Sequence, residues 1–247
     1  MKKINRKIIG GILIMCCLGL TFGCSSGDSG SAGSMSRFTI VDDTMYSIVG
    51  MSDLQILDIS EPALPKPTSR MAIDWGIETL FASGDKLFVG ANTGVYILDI
   101  DIRQSPVYLS KFDHADACDP VVVAGDYAYV TLRSENVVCN NASNQLDIVN
   151  VSDPENPSLS NTILMQNPKG LGVDQDVLFV CDGIAGLKIF NIIDPEQPQL
   201  IDTEFGIDCY DIILKDNVLI VSDVNGIIQF DYSSLPLRQL SKLDILE

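Results

Sequence analysis

The chain has 247 residues, and 46% of them are hydrophobic, which is enough for one sizeable core or two smaller ones. It carries 33 Asp and Glu residues against 16 Lys and Arg residues, for a formal net charge of -17. Such an acidic surface repels phosphate backbones, so nucleic acid is excluded as an expected partner. The simplest explanation of this negative charge is that it keeps the protein soluble.

The first 23 residues have the layout of an export signal. A basic stretch, MKKINRK, precedes the apolar run IIGGILIMCCLGL, which is too short to span a bilayer comfortably. The run continues into TFGC, and a small residue directly before Cys24 resembles a bacterial lipoprotein signal. Thr21 replaces the usual Leu, and Phe22 is bulky. We predict a signal peptide over residues 1–23 and a lipidated Cys24, with ordinary secretion as the alternative.

Residues 24–35 are predicted to form a flexible tether, because Ser and Gly dominate SSGDSGSAGSMS. Lipid on Cys24 would hold the protein on a membrane. Ser25 rather than Asp follows the cysteine, which favours the outer membrane by analogy with sorting in enteric bacteria. We therefore expect a cell-envelope protein on either the periplasmic or the surface face.

From about residue 36 the chain repeats five times, which is typical of a solenoid or propeller. Successive units are 41, 51, 41 and 40 residues apart, and the long interval carries an insertion near Cys139. The register mark is an Asp or Asn inside an apolar strand, in the segments LQILDIS, VYILDID, LDIVNVS, LKIFNII and IIQFDYS. Each unit holds four short runs rich in Val, Ile, Phe and Tyr, separated by polar turns with Gly, Asp or Pro. Such runs indicate strands, and four antiparallel strands per unit form a propeller blade.

The predicted fold is all-β: a five-bladed β-propeller of four-stranded antiparallel blades over residues 36–247. The inner runs are apolar without alternation, as expected for sheets that are buried on both faces. One blade cannot cover its own apolar faces, so the chain repeats it until a ring closes. Closure is expected from packing of complete blades, and the alternative is an N-terminal strand that completes the last blade. The expected blades are residues 36–73, 74–114, 115–165, 166–206 and 207–247.

The segments LQILDISEPALP, VYILDI and LDIVNVSDPENP resemble the LVIVD-repeat family of exported bacterial and archaeal proteins. DWGIETLF, CDPVVVAGDYAYVTLRS and NPKGLGVD are similar to a lipoprotein group common in Bacteroidetes. The resemblance covers about residues 35–247 and implies a β-propeller and an exported location. It implies no activity and no catalytic residues, because this family is largely uncharacterised.

One face of such a propeller collects unusual residues. By architectural analogy, the loops that precede the first strands and the loops between second and third strands surround one end of the central funnel. Glu78, Asp119, Lys169 and Tyr210 occupy equivalent positions in four blades, and their different chemistry favours a binding pocket over simple packing. The alternative is that solvated loops are acidic in an acidic protein. The predicted ligand-binding residues are Trp75, Glu78, His114, Asp119, Arg133, Lys169, Asp182, Tyr210 and Asp211.

Four cysteines lie beyond the tether, and an even number in an oxidising compartment predicts disulfides. Cys118 and Cys139 map to the funnel face of one blade, so we predict that they are bridged. Cys181 and Cys209 map to the same face in neighbouring blades, and their state is left open.

The sequence indicates no particular reaction. His114 and Asp119 offer acid–base chemistry, but no nucleophile stands at a known spacing. Zinc would need more imidazole or thiolate than one His provides. Calcium is the metal that suits scattered carboxylates, although no D-x-D-x-D-G loop is present. We therefore predict no cofactor and a binding or scaffold module for a protein, glycan or small molecule. The alternative is a hydrolase or lyase with a polar, calcium-assisted funnel site.

Overall fold

The computed structural model describes residues 34–114, 120–134 and 144–245, and all regular elements in these ranges are β-strands. The strands form five four-stranded antiparallel sheets, each continuous in chain order. Each predicted blade range contains one sheet, so the predicted five blades of four strands are confirmed. Within the described ranges, no helix is long and apolar enough to cross a membrane.

The strands are numbered in chain order, four to a blade. Blade 1 contains β1 (Phe38–Val41), β2 (Thr44–Val49), β3 (Asp53–Asp58) and β4 (Lys66–Ala72). Blade 2 contains β5 (Ile77–Ser83), β6 (Lys86–Ala91), β7 (Gly94–Asp99) and β8 (Val107–Asp113). Blade 3 contains β9 (Val121–Ala124), β10 (Tyr127–Leu132), β11 (Gln145–Asn150) and β12 (Ser158–Leu164). Blade 4 contains β13 (Leu171–Asp174), β14 (Val177–Cys181), β15 (Leu187–Asn191) and β16 (Gln199–Glu204). Blade 5 contains β17 (Cys209–Lys215), β18 (Val218–Asp223), β19 (Gly226–Asp231) and β20 (Arg238–Asp244).

The repeated Asp or Asn ends the third strand of every blade and shapes the turn that follows. Its side-chain oxygen accepts a hydrogen bond from the backbone N–H two residues later, at 2.9–3.0 Å in all five blades. Asp and Asn are favoured in turns for this reason. The residues are Asp58, Asp99, Asn150, Asn191 and Asp231. The register mark of the sequence is therefore a turn-forming contact.

Four apolar clusters hold successive blades together, one each between blades 1 and 2, 2 and 3, 3 and 4, and 4 and 5. Among the described residues, no such cluster joins blade 5 to blade 1. The outer faces of these two blades are partly exposed, as Phe38, Val49 and Ile227 show. The expected packing of blade 5 against blade 1 is therefore not found in the described part of the chain. The alternative, a blade assembled from both ends of the chain, is wrong, because every blade is continuous.

The residues on these outer faces differ from their equivalents in the other blades. Val89, Val130, Val180 and Val221 each point toward the preceding blade and are fully buried. Blade 1 has Ser47 at this position, and its outer face is only partly covered.

Candidate functional site: the mouth of the propeller

The loops that precede each first strand and the loops that join second and third strands lie at one end of the blades. We call this end the mouth face and the opposite end the turn face. Backbone hydrogen bonds link the mouth ends of neighbouring blades: Leu80 N–H donates to Ser36 O at 2.9 Å, and Gly170 N–H donates to Tyr210 O at 2.9 Å. Thr131 Oγ1 also donates to Lys169 O at 2.7 Å.

Backbone bulges explain why equivalent residues of different chemistry face the mouth. The β5–β6 register shifts between Ile77 and Thr79, and the β17–β18 register shifts between Cys209 and Asp211. Glu78 and Tyr210 are the extra residues, and a bulge of this kind redirects a side chain away from the ladder. The structure thus places Glu78 and Tyr210 at equivalent positions. Asp119 lies outside the described residues.

Lys169 is held between an aromatic ring and a carboxylate. Its Nζ lies 5.1 Å from the centre of the Tyr210 ring and 3.6 Å from Asp208 Oδ1. The Lys169 side chain is mostly buried, whereas Tyr210 is 45% exposed. A cation over a ring face is attracted by the ring quadrupole. The result is a fixed positive charge beside an accessible aromatic surface.

Glu78 lies at the mouth end of blade 2 among polar partners. With its nitrogen turned toward the carboxylate, the Asn92 amide donates to Glu78 Oε1 at 3.2 Å. Burial raises the pKa of Glu78, and the nearby guanidinium groups of Arg133 and Arg37 oppose this rise. Arg133 is itself buried, at the end of the second strand of blade 3. Arg37 was not anticipated as a mouth residue, because it follows the predicted tether directly.

Asp211 binds the N-terminal segment of the chain, so its carboxylate is not open to a ligand. Ser34 Oγ donates to Asp211 Oδ1 at 3.4 Å and accepts a hydrogen bond from Leu171 N–H at 2.8 Å. Burial raises the pKa of Asp211 to about 6, against opposing hydrogen bonds from the N–H groups of Ile212 and Met35 and from Ser34. Ser34 is 2% exposed, so it packs inside the propeller although the sequence places it in the tether.

The Asp182 carboxylate holds the backbone of a mouth loop in place. Its Oδ1 accepts hydrogen bonds from the N–H groups of Gln166 at 2.9 Å and Asn167 at 2.7 Å, and the residue is buried. Asp223 plays the same part in blade 5, where Oδ2 accepts a bond from Asp208 N–H at 2.8 Å. These carboxylates shape the loops that carry the mouth residues.

Trp75 and His114 both lie at the mouth end of blade 2. Trp75 is 66% exposed on the loop before β5. His114 follows β8, and its N–H donates to Thr93 O at 3.4 Å. Burial raises the pKa of Asp147, and the nearby His114 opposes this rise. Asp147 accepts bonds from Gln145 and Thr162, so it belongs to a buried polar cluster of blade 3.

The disulfide that the sequence left open is present. Cys181 and Cys209 are bonded, with a Cα–Cα distance of 4.9 Å, and they staple blade 4 to blade 5 at the mouth face. The predicted Cys118–Cys139 bridge and the predicted lipid site at Cys24 lie outside the described residues. Within those residues, no group of three or more His, Cys, Asp or Glu side chains is placed to hold a metal ion. The calcium-assisted site of the enzyme alternative stays a hypothesis.

Comparison with known families and structures agrees with the fold. The family model of the LVIVD repeat matches residues 45–71 and 115–164. The chain is thus a β-propeller with LVIVD repeats in these two stretches. No curated protein matches it in sequence.

Solved structures with the same fold are distant in sequence. A functionally unknown protein from Desulfotomaculum acetoxidans has a TM-score of 0.63 at 14% identity, over 83% of this chain and 69% of that one. The computationally designed Ika8 protein has a TM-score of 0.62 at 10% identity, over 85% of this chain and 63% of that one. AztD from Citrobacter koseri has a TM-score of 0.61 at 12% identity, over 83% of this chain and 61% of that one. This chain thus spans 61–69% of their lengths.

Proposed function

We propose that the protein is an exported, lipid-anchored propeller of the cell envelope that binds a ligand at its mouth without transforming it. The observation that carries this proposal is the divergence at one backbone position. Equivalent places in blades 2, 4 and 5 hold Glu78, Lys169 and Tyr210, and two of them are backbone bulges that redirect the side chain. Packing alone would let these blades stay alike.

The mouth residues suggest the chemistry of the ligand. Lys169 is fixed by Tyr210 and Asp208, and Glu78 lies near Arg133. Fixed charges of both signs beside an exposed ring suit a polar ligand with a flat apolar side, such as a sugar or a peptide. Ligand pockets combine a few placed polar groups with apolar surface in this way.

Binding at the mouth is testable with a panel of oligosaccharides and peptides. Any hit in a thermal-shift screen is followed by titration against Lys169→Met, Glu78→Gln and Tyr210→Ala chains. Each change should weaken binding at least about tenfold, the effect of losing roughly 1.4 kcal/mol. Asp176→Asn, on the turn face, is the matched control and should leave Kd unchanged. A ligand whose affinity ignores all three mouth changes would exclude the mouth as the site.

The same screen separates binding from the hydrolase or lyase alternative. Calcium is added with and without chelator, before and after Asp119→Ala and Asp211→Ala. Strong stabilisation by calcium that these changes abolish, together with turnover of a panel member, would replace the binding proposal by the enzyme.

The anchor is tested separately. Cells that express the full chain are fed radiolabelled palmitate, and the protein should carry label through Cys24. A Cys24→Ala chain that still incorporates label would disprove the assignment.

A further inference from the structure

We infer that the mouth face is the membrane-facing side of the propeller and contacts the lipid surface directly. This inference rests on the proposed lipid anchor at Cys24, and it adds an orientation and a lipid-contact surface. It narrows the ligands of the mouth to molecules at or near the membrane surface.

The first observation is the place where the chain leaves the propeller. Ser34 is fixed at the mouth by Leu171 N–H and by Asp211. The stretch from Cys24 to Ser34 reaches about 35 Å at most, at roughly 3.5 Å per residue. A route to the turn face along the partly exposed outer face of blade 1 needs only about 20 Å, at about 3.3 Å of rise per strand residue, so tether length alone does not decide the side. The path from the propeller to the anchor starts at the mouth face, which favours the mouth as the side next to the membrane.

The second observation is the distribution of exposed aromatic side chains. The loops of the mouth face expose Trp75 (66%), Phe205 (73%) and Tyr210. Ile184 and Val224 are also exposed, at the tips of the mouth loops of blades 4 and 5. The described loops of the turn face expose aliphatic side chains, among them Leu64, Ile102 and Ile193, but no large aromatic side chain, although Tyr108 is half-exposed at the turn-face end of β8. Trp and Tyr prefer the interface between membrane and water, where one end of the ring is apolar and the other is wet.

Trp75 is the only tryptophan of the chain and provides a built-in probe. The full chain, expressed with its own N-terminus, is reconstituted into vesicles of phosphatidylethanolamine and phosphatidylcholine, with or without brominated acyl chains as quenchers. The matched control combines Trp75→Phe with Ile102→Trp, because Ile102 is 66% exposed on the turn face. Thermal unfolding midpoints verify that both chains are folded.

We expect brominated lipid to quench Trp75 emission at least about twofold, as for a ring at the interface, and to leave the control chain unchanged. A chain that floats with the vesicles but shows no quenching of Trp75, or equal quenching of both probes, overturns the orientation and leaves the anchor intact. A mouth covered by another protein would give the first of these results. A chain that does not float with the vesicles overturns the anchor and this inference together.

Discussion

Blades 2, 3 and 4 bury both faces of their sheets, whereas blades 1 and 5 bury only the face that meets a neighbour. The second strand of blade 3 is buried from Ala128 to Leu132, but its equivalents in blades 1 and 5 alternate between buried and partly exposed. The five repeats therefore share a backbone and differ in their surroundings. The side chains of each repeat therefore show which of its faces packs against a neighbouring blade.

Polar residues mark the two faces without a partner. Ile97, Ile148 and Ile189 occupy one position in the third strands of the middle blades and are fully buried, and blade 5 has Gln229 there. Gln229 bonds within its own blade, accepting from Ser241 Oγ at 3.2 Å. Terminal units of solenoid proteins likewise carry a more polar outer face, since that face must tolerate water.

The largest expected effect comes from a leucine that occupies the same position in blades 2 and 1. Leu98 is fully buried between blades, so Leu98→Ala should cost about 3–5 kcal/mol of unfolding free energy. Leu57 lies on the partly exposed outer face, and Leu57→Ala should cost about 1 kcal/mol or less. Urea titrations at constant m-value measure both. Equal losses would mean that the outer face of blade 1 is covered in solution.

The disulfide distinguishes the two terminal blades, because it ties blade 5 to its neighbour and blade 1 has no such bond among the described residues. Cys181 and Cys209 are 28 residues apart, and loop entropy predicts a loss of about 3–4 kcal/mol when the bridge is removed. Hydrogen exchange should then accelerate mainly in β17–β20. A chain with Cys181→Ala and Cys209→Ala serves as the control, since any further effect of reductant on it comes from the other cysteines, including the predicted Cys118–Cys139 bridge. Uniform acceleration across all blades would contradict a local role.

A reciprocal exchange tests the polar marks directly. Val180→Ser places the residue of blade 1 inside a buried interface and should cost about 2–3 kcal/mol, from lost apolar contact and a buried hydroxyl. Ser47→Val places the residue of the middle blades on the outer face and should change stability by less than about 0.5 kcal/mol. Thermal and urea unfolding give both values. Clear stabilisation by Ser47→Val would show that a neighbour packs on that face.

The smallest expected effect concerns the N-terminal contact that links blades 4 and 5. The pKa of Asp211 is raised from 3.8 to about 6, so its contribution to stability is full below pH 3.8 and is lost as the pH rises through 6. The Asp211→Asn change should remove this pH-dependent loss of stability. Its effect on the free energy of unfolding should be at least about 1 kcal/mol more favourable at pH 7 than at pH 4. Unfolding is measured from pH 4 to pH 8, with Asp176→Asn as the exposed control. A parallel pH profile for Asp211→Asn and the unsubstituted chain would refute the assignment.

Much of the fold was predictable because it depends on interactions between residues close together in the sequence. The Asp and Asn marks, such as Asp58 and Asn150, form their turns with atoms two residues away. Short runs of branched and aromatic residues between such turns specify strands, and regular spacing specifies the number of blades. The equivalence of Glu78 and Tyr210 also followed from spacing, and the bulges gave it a physical cause.

The remaining features depend on contacts across the ring. Ser34 lies in a Ser- and Gly-rich segment, and nothing in that segment distinguishes it from its neighbours. The Cys181–Cys209 bond joins two blades, and its distance cannot be read from spacing. The open outer faces did leave a signal in Ser47 and Gln229, but alignment of the repeats for likeness passes over such differences. Asp182 and Asp223 also occupy equivalent positions in blades 4 and 5. That equivalence was a sequence signal for their shared role, which is to accept hydrogen bonds from backbone N–H groups of the mouth loops.

The continuity of every blade has a consequence for how such a chain changes over generations. No sheet borrows a strand from the opposite terminus. Duplication or deletion of one genetic unit therefore leaves each of the other sheets complete, with only the contacts at the junction to be remade. A propeller with this connectivity can lengthen or shorten by whole blades.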